Sequence, residues 1–214
     1  MGNKFDKQLE LLHLDLTKMG ALCETSIALV MKALINPEEE SLEKISELEH
    51  DTDQLERSIE SLCLKLLLQQ QPVARDLRQI SAALKMITDM ERIGDQSYDI
   101  AEIIPDLKGR TSEEFQEIQK MAEETSRMVV NSVEAFVHQD VAIAEKVIEN
   151  DYVVDDYFNA VKGRLIQMIK DNRSDGECAL DLLMISKYFE RIGDHATNIA
   201  EWVLFSITGI HKEG

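Results

Sequence analysis

The chain is predicted to be all-α: a tandem duplication of an antiparallel three-helix bundle, with six long helices. Three observations carry this. Apolar residues recur at spacings of three and four over most of the 214 residues. Only three prolines and nine glycines interrupt a chain rich in Leu, Ile, Glu, Ala and Lys, a helix-favouring mixture. A long pattern also occurs twice, most plainly as Glu-Arg-Ile-Gly-Asp at 91–95 and again at 190–194. No segment shows the strict alternation of a strand.

The duplication sets the domain organisation. From Glu91 to Glu190 the offset is 99, and it holds from Ile100-Ala101-Glu102 to Ile199-Ala200-Glu201. Upstream the offset is 102: Leu34 meets Phe136, Glu47 meets Glu149, Glu49 meets Asp151 and Asp53 meets Asp155. The second copy is thus expected to have lost three residues in the loop before its last helix. Repeats of this length indicate one structural unit built twice, here 1–108 and 109–214.

The first helix is predicted from about Phe5 to Ile35, with Leu9, Leu12, Leu16, Met19, Cys23, Ile27, Val30 and Leu34 facing inward. Asn36-Pro37 stops it, and Pro37 suits the first turn of the next helix. The second helix runs to about Gln70, burying Leu42, Ile45, Leu48, Leu55, Ile59, Leu62 and Leu66. Pro72 starts the third, which continues to Ile104-Pro105. Residues 108–111 form the junction, with Thr111 or Ser112 as cap of the fourth helix and Glu114 in support. His138-Gln139-Asp140 turns into the fifth helix and 171–176 into the sixth.

Composition narrows the function. Asp and Glu number 41 against 23 Lys and Arg, a formal net charge of -18. Such a field repels phosphate backbones and anionic membranes, and attracts cations and basic protein surfaces. Nucleic acid is excluded as a partner on this ground. Cys23, Cys63 and Cys178 are far apart and odd in number, so buried thiols in a reducing cytoplasm are expected rather than disulfides. Residues 1–10 lack the apolar core of a signal peptide, and the apolar stretch 27–35 is broken by Lys32. The chain is expected to meet a membrane only through partners.

The informative residues are acidic. Glu91 and Asp95 are four apart and share a helix face, as do Glu190 and Asp194. The second helix of each unit adds Glu49 with Asp53, and Asp151 with Asp155. Asp99 and Asn198 continue the third-helix stripe by one turn. Neighbouring second and third helices would bring four carboxylates together in each unit. Like charges at this spacing cost about 0.2–0.5 kcal/mol per pair, and mid-helix Gly94 and Gly193 about 1 kcal/mol each relative to alanine. A bound cation would relieve the repulsion, and glycine would permit close helix approach. Oxygen ligands suit iron, manganese, magnesium or calcium. The same pairs also have the pattern of a solvated face, and Arg92 with Asp95 and Arg191 with Asp194 that of ordinary ion pairs; both readings stand at this point.

At these strings the chain resembles the PhoU family, regulatory accessory proteins of phosphate-specific transport. The most specific part is 190–201, and Gln71-Pro72 with Asp76-Leu77-Arg78 adds to it. The resemblance implies two three-helix bundles with metal clusters on the acidic motifs, iron foremost, with zinc, manganese or magnesium as alternatives. Residue by residue it places ligands at Glu49, Asp53, Glu91, Asp95, Asp151, Asp155, Glu190 and Asp194. Asp99 departs from the family's asparagine, which Asn198 retains. It further implies a cytoplasmic homodimer. Its partners would be the ATPase of a phosphate ABC transporter and a phosphate-sensing histidine kinase, restrained when phosphate is plentiful.

Two rivals remain. A helical di-metal oxidase pairs glutamates with Glu-x-x-His motifs, and Glu10 with His13 and Glu47 with His50 have that spacing. Their repeat partners are Ser112, Phe115 and, for His50, Tyr152, so the histidines are absent from the second copy. A metal-free helical adaptor is the other rival. No nucleophile–base set or phosphate-cradling glycine loop stands out, so catalysis is not expected. His195 lies about 100° around the helix from Asp194 and is read as a packing or supporting residue. Tyr98, Tyr152, Tyr157, Phe158 and Trp202 are read as packing or subunit contacts.

Overall fold

A computed structural model describes residues 4–36, 39–70, 72–107, 116–171 and 176–210, excepting the side chains of 39, 40, 69 and 70. Six α-helices follow one another: α1 (Lys4–Ile35), α2 (Glu39–Gln70), α3 (Ala74–Ile103), α4 (Gln116–His138), α5 (Val141–Lys170) and α6 (Gly176–Thr208). A 3₁₀ turn, Ile104–Leu107, follows α3, and no strand occurs among the described residues. The roles expected of Pro37, Gln71, Thr111, Ser112 and Glu114, the junction at 108–111 and the turn residues 172–175 fall outside the described residues.

The helix ends follow local chemistry. α3 begins two residues after Pro72, with Val73 in extended conformation (φ -70°, ψ 163°) and no side-chain cap. Pro105 has no N–H to donate, and the α-ladder gives way there to the 3₁₀ turn. Gln139 takes a left-handed φ of 53° and ends α4. Asp140 then caps α5 by accepting from the Ile143 N–H at 3.1 Å. α5 is described to Lys170 and α6 from Gly176. The turn in which the second copy is expected to have lost three residues includes 172–175, outside the described residues.

Both units share one core. Within the first, α2 packs on α1 and α3; within the second, α5 packs on α4 and α6. The units join through α3 on α6 and α1 on α4. Leu12, Leu16, Met19, Cys23, Ile27 and Val30 are fully buried along α1, as their spacing predicts. All three cysteines are buried free thiols. Of the aromatics, Tyr98, Tyr157, Phe158 and Trp202 pack against the core, whereas Tyr152 is 65% exposed.

α3 and α6 run antiparallel. Lys85 lies over the Trp202 ring at 5.9 Å, near one end of their contact. Further along α3, the Asp89 Oδ1 accepts from Asn198 Nδ2 at 3.1 Å and meets His195 Nδ1 at 2.8 Å. Asp99, further still, feels the Arg191 guanidinium. The pairings run in opposite directions along the two helices, so the hairpin tips of the two units lie at opposite ends of the molecule.

Helical glycines differ in how closely a neighbouring helix approaches them, and a Cβ on Gly193 would meet Val154 Cγ1 at 3.3 Å. A Cβ on Gly94 would lie 3.5 Å from Thr52 Cγ2, an ordinary contact. A Cβ on Gly20 would meet three Val133 carbons at 2.8, 3.2 and 3.3 Å, where α1 crosses α4. Valine is held near one rotamer in a helix and cannot swing clear. Gly94→Ala should therefore raise stability by up to about 1 kcal/mol through helix propensity. Gly20→Ala should lower it by about 1 kcal/mol or more through overpacking. Urea denaturation of the two variants checks both signs. Asp89→Ala removes the acceptor shared by half-buried His195 and exposed Asn198 at the α3–α6 contact, and the same measurement should show a loss of about 0.5–1.5 kcal/mol.

Candidate metal centre

The acidic residues of the first unit converge because α2 and α3 are antiparallel neighbours and each presents an i, i+4 pair toward the other. Carboxylate oxygens of Glu49, Asp53 and Asp95 all lie within 4.8 Å of one another, with all three residues half-buried. Glu91 stands beside them but engages Arg92, Oε2 to Nε at 3.4 Å. Arg92 also pairs with Asp95 at 3.0 Å, the ion pair that the spacing allowed. Arg57 reaches Asp53 at 3.4 Å. Two guanidiniums thus hold the rim of a group that remains under mutual repulsion. Burial, then Asp53 and Asp95, push Glu49 above its ordinary carboxylate range. Burial and Asp95 raise Glu91 in the same way, against the pull of Arg92.

The second unit uses the repeated residues differently. Asp151 accepts from Thr197 Oγ1 at 3.1 Å. Glu190 is paired with the Lys187 ammonium, which also lies 5.4 Å from the Phe158 ring. Asp194 is pushed up to about 6, first by burial and then by Glu190 and Asp151, with Asp155 adding to it. Its side chain still reaches solvent. Among the described residues this quartet does not close to the ligand spacing of the first unit. Arg191 turns over the Tyr188 ring at 5.9 Å rather than pairing with Asp194. The stripe residues one turn on also part company. Asp99 is raised by burial and by Asp95, while the Asn198 amide is spent on Asp89 across the α3–α6 contact.

Two participants escaped the sequence reading. Glu56 is raised by burial and by Asp53, and it adds to the field at Glu91. It lies three residues beyond Asp53 on the same face, a legible spacing. Its repeat partner is Phe158, however, so a search for duplicated carboxylates passes over it. Asp89 is hidden likewise, since its repeat partner is Tyr188. The histidines of the oxidase alternative are placed elsewhere. His13 packs edge-on to Phe136 at 5.4 Å, and burial lowers its pKa. His50 contacts Gln54 at 2.7 Å. Neither joins a group of metal-ligand spacing among the described residues.

Fold and site together define a duplicated helical-bundle protein whose distinguishing chemistry is clustered carboxylates. The PhoU domain model matches residues 16–104 and 118–203. The chain is 34% identical to the phosphate-specific transport system accessory protein PhoU homolog of Clostridium acetobutylicum, covering 96% of this chain and 94% of that one. The homolog of the same description from Synechocystis is 35% identical, covering 96% and 92%. The crystal structure of PhoU from Pseudomonas aeruginosa superposes with a TM-score of 0.90 at 30% identity, over 97% of this chain and 100% of that one. The phosphate transport system regulatory protein PhoU from Streptococcus pneumoniae also gives 0.90, at 26% identity over 99% and 100%. The chain belongs to the PhoU family.

The raised carboxylates carry a definite pH signature. A carboxyl whose folded pKa lies above its unfolded value binds its proton more tightly when folded. Its contribution is fully present below the unfolded pKa and is lost as pH rises through the folded one. For Asp194 that window runs from the usual 3.8 to about 6. Thermal denaturation in chelator should show stability falling as pH rises across this range. Asp194→Asn should flatten the fall, because an amide has no proton to lose.

Proposed function

We propose that this chain is a metal-binding helical adaptor that regulates phosphate uptake and phosphate-starvation signalling. It would act on the ATPase of a phosphate ABC transporter and on a sensor histidine kinase when phosphate is plentiful. The observation that carries the metal reading is the convergence of Glu49, Asp53 and Asp95 oxygens within 4.8 Å. Three oxygen donors at that spacing fit a hard or borderline cation, iron first, with zinc, manganese or magnesium as alternatives. Glu91 and Asp99 would complete the first set. Asp151, Asp155, Glu190, Asp194 and Asn198 would supply the second after side-chain rearrangement. A bound cation would offset the carboxylate repulsion and offer coordination positions to an anionic group.

The accessory and regulatory roles named for relatives support an adaptor rather than an enzyme. No helix among the described residues is long and apolar enough to cross a membrane, which supports a cytoplasmic protein that reaches transporters through protein contacts. The proposal includes a homodimer, with units bounded at 1–108 and 109–214. Carboxylates repel inorganic phosphate at close range, so any direct phosphate sensing must pass through bound metal or through the partner.

Elemental analysis of chain purified without tag or chelator tests the reading. Stoichiometric metal that raises the melting temperature, and that falls in Asp95→Asn and disappears in Asp95→Asn/Asp194→Asn, is the expected result. No metal after incubation with each candidate ion would leave the metal-free adaptor. Isothermal titration of phosphate into metal-free protein should show no tight binding.

A further inference from the structure

The outer groove between α1 and α2 differs from its counterpart in the second unit. It holds an open cavity of about 560 Å³, whose lining includes Lys18 and Leu22 of α1 and Asp51 and Leu55 of α2. Leu29 continues the α1 side, and Leu48 and Leu62 continue the α2 side, each one seven-residue step along the same face. These five leucines are half-buried, and Leu11 on that face of α1 is 44% exposed. In the second unit the equivalents of Leu22, Leu29, Leu48 and Leu62 are Glu124, Asn131, Asn150 and Arg164. Asn150 donates to Glu124 at 3.0 Å and Arg164 to Glu117 at 2.9 Å, both from α5 to α4. Arg127 also donates to Glu124, at 2.7 Å. That seam is closed by its own polar groups. One fold carries both seams, so packing within the unit does not require leucines facing solvent in the first.

Charge is graded along the same groove. α1 and α2 are antiparallel, so Lys4 and Lys7 lie at the end where α2 carries Lys65. With Asp6 and Glu10 counted, that end has three lysines against two carboxylates, and residues 61–75 add no carboxylate. At the other end residues 38–47 carry five glutamates, against Lys32 and Lys44. Lys18, which bonds Asp15 at 3.1 Å, and Asp51 stand between the two ends, both on the cavity.

We propose that the α1–α2 groove is the contact with a second copy of this chain, related by a twofold axis through the groove's centre. This rests on the homodimer of the functional reading and assigns its surface. A twofold axis sets each face against itself in reverse. The lysine-rich end then meets the partner's glutamate-rich end, Lys18 meets the partner's Asp51, and leucines meet leucines in a four-helix layer. From Lys7 to Lys32 the face is about 37 Å long at ~1.5 Å per residue and roughly 20 Å wide, so each copy covers on the order of 700 Å², near the ~800 Å² per partner of a standard interface. A foreign helix of one charge would match only one end of the groove. The polar seam of the second unit has a consequence for closure. Leucines on both seams would let first units pair with second units and run on into open chains, whereas one such face per chain closes at two copies. Glu49, Asp53 and Asp95 lie on the α3 side of α2, outside the contact.

Sedimentation of the full chain tests this, and the wild-type chain should be a dimer. Leu22→Glu/Leu48→Asn/Leu62→Arg copies the second unit's seam and should weaken the dimer by about tenfold or more, because like charges are then juxtaposed across the contact. Its helical circular dichroism should hold, since the fold accepts these residues in the second copy. Lys18→Glu alone should weaken the dimer, and Lys18→Glu/Asp51→Lys should restore it. Lys120→Glu, the equivalent of Lys18 in the second unit, should leave it unchanged. A dimer that survives the triple variant overturns the assigned surface and leaves the homodimer standing. A monomeric wild-type chain overturns both. Failure of the charge exchange to restore the dimer, or an equal loss in Lys120→Glu, overturns the twofold pairing. Metal content is read on the same samples, so the cation reading stands or falls separately.

Discussion

The antiparallel packing of α3 on α6 is the contact on which the rest of the molecule depends. It carries the two Glu-Arg-Ile-Gly-Asp strings on adjoining helices and merges two small bundles into one core. Three-helix units of roughly 100 residues bury a modest share of their surface alone, and a shared core raises that share. The contact is apolar along most of its length, with polar anchors where Asp89 meets His195 and Asn198. These groups lose orientation freedom on folding, and mismatched registers would leave them unpaired, so they favour one register over others.

With that register set, charge becomes the quantity the structure must manage. The first unit gathers Glu49, Asp53, Glu56, Glu91 and Asp95 and answers them with Arg57 and Arg92 at the rim. The second has Phe158 in place of Glu56 and Lys187 in place of Thr88, and the lysine is held by Glu190. One copy thus relies on exposed guanidiniums while the other draws an ammonium inward. The copies share a motif but not an electrostatic balance. In the proposed function this difference would make their affinities for a cation unequal, the first copy being the one whose oxygens already lie at ligand spacing.

Much of the fold was legible because helical periodicity is local. The inward residues of α1 follow from spacing and the ends of α1 and α2 from Asn36-Pro37 and Pro72, and Asp140 is where a cap was needed to start α5. The candidate site was legible only as faces. An i, i+4 pair states which side of a helix is acidic, but not which rotamer each carboxylate takes. Glu91 turning to Arg92, and Asn198 turning to Asp89, are decided by neighbours on other helices.

The sequence by itself determined six helices, their duplication and four acidic pairs on predictable faces, because each rests on contacts between residues three or four apart. Only the tertiary structure decided that Glu49, Asp53 and Asp95 close to ligand spacing while their repeat equivalents do not. Only it showed that Glu56 and Asp89 take part, and that an open groove lined by Leu22 and Leu55 runs between α1 and α2. Those outcomes depend on which helices pack together and at what register, and repulsion between carboxylates acts through space rather than along the chain.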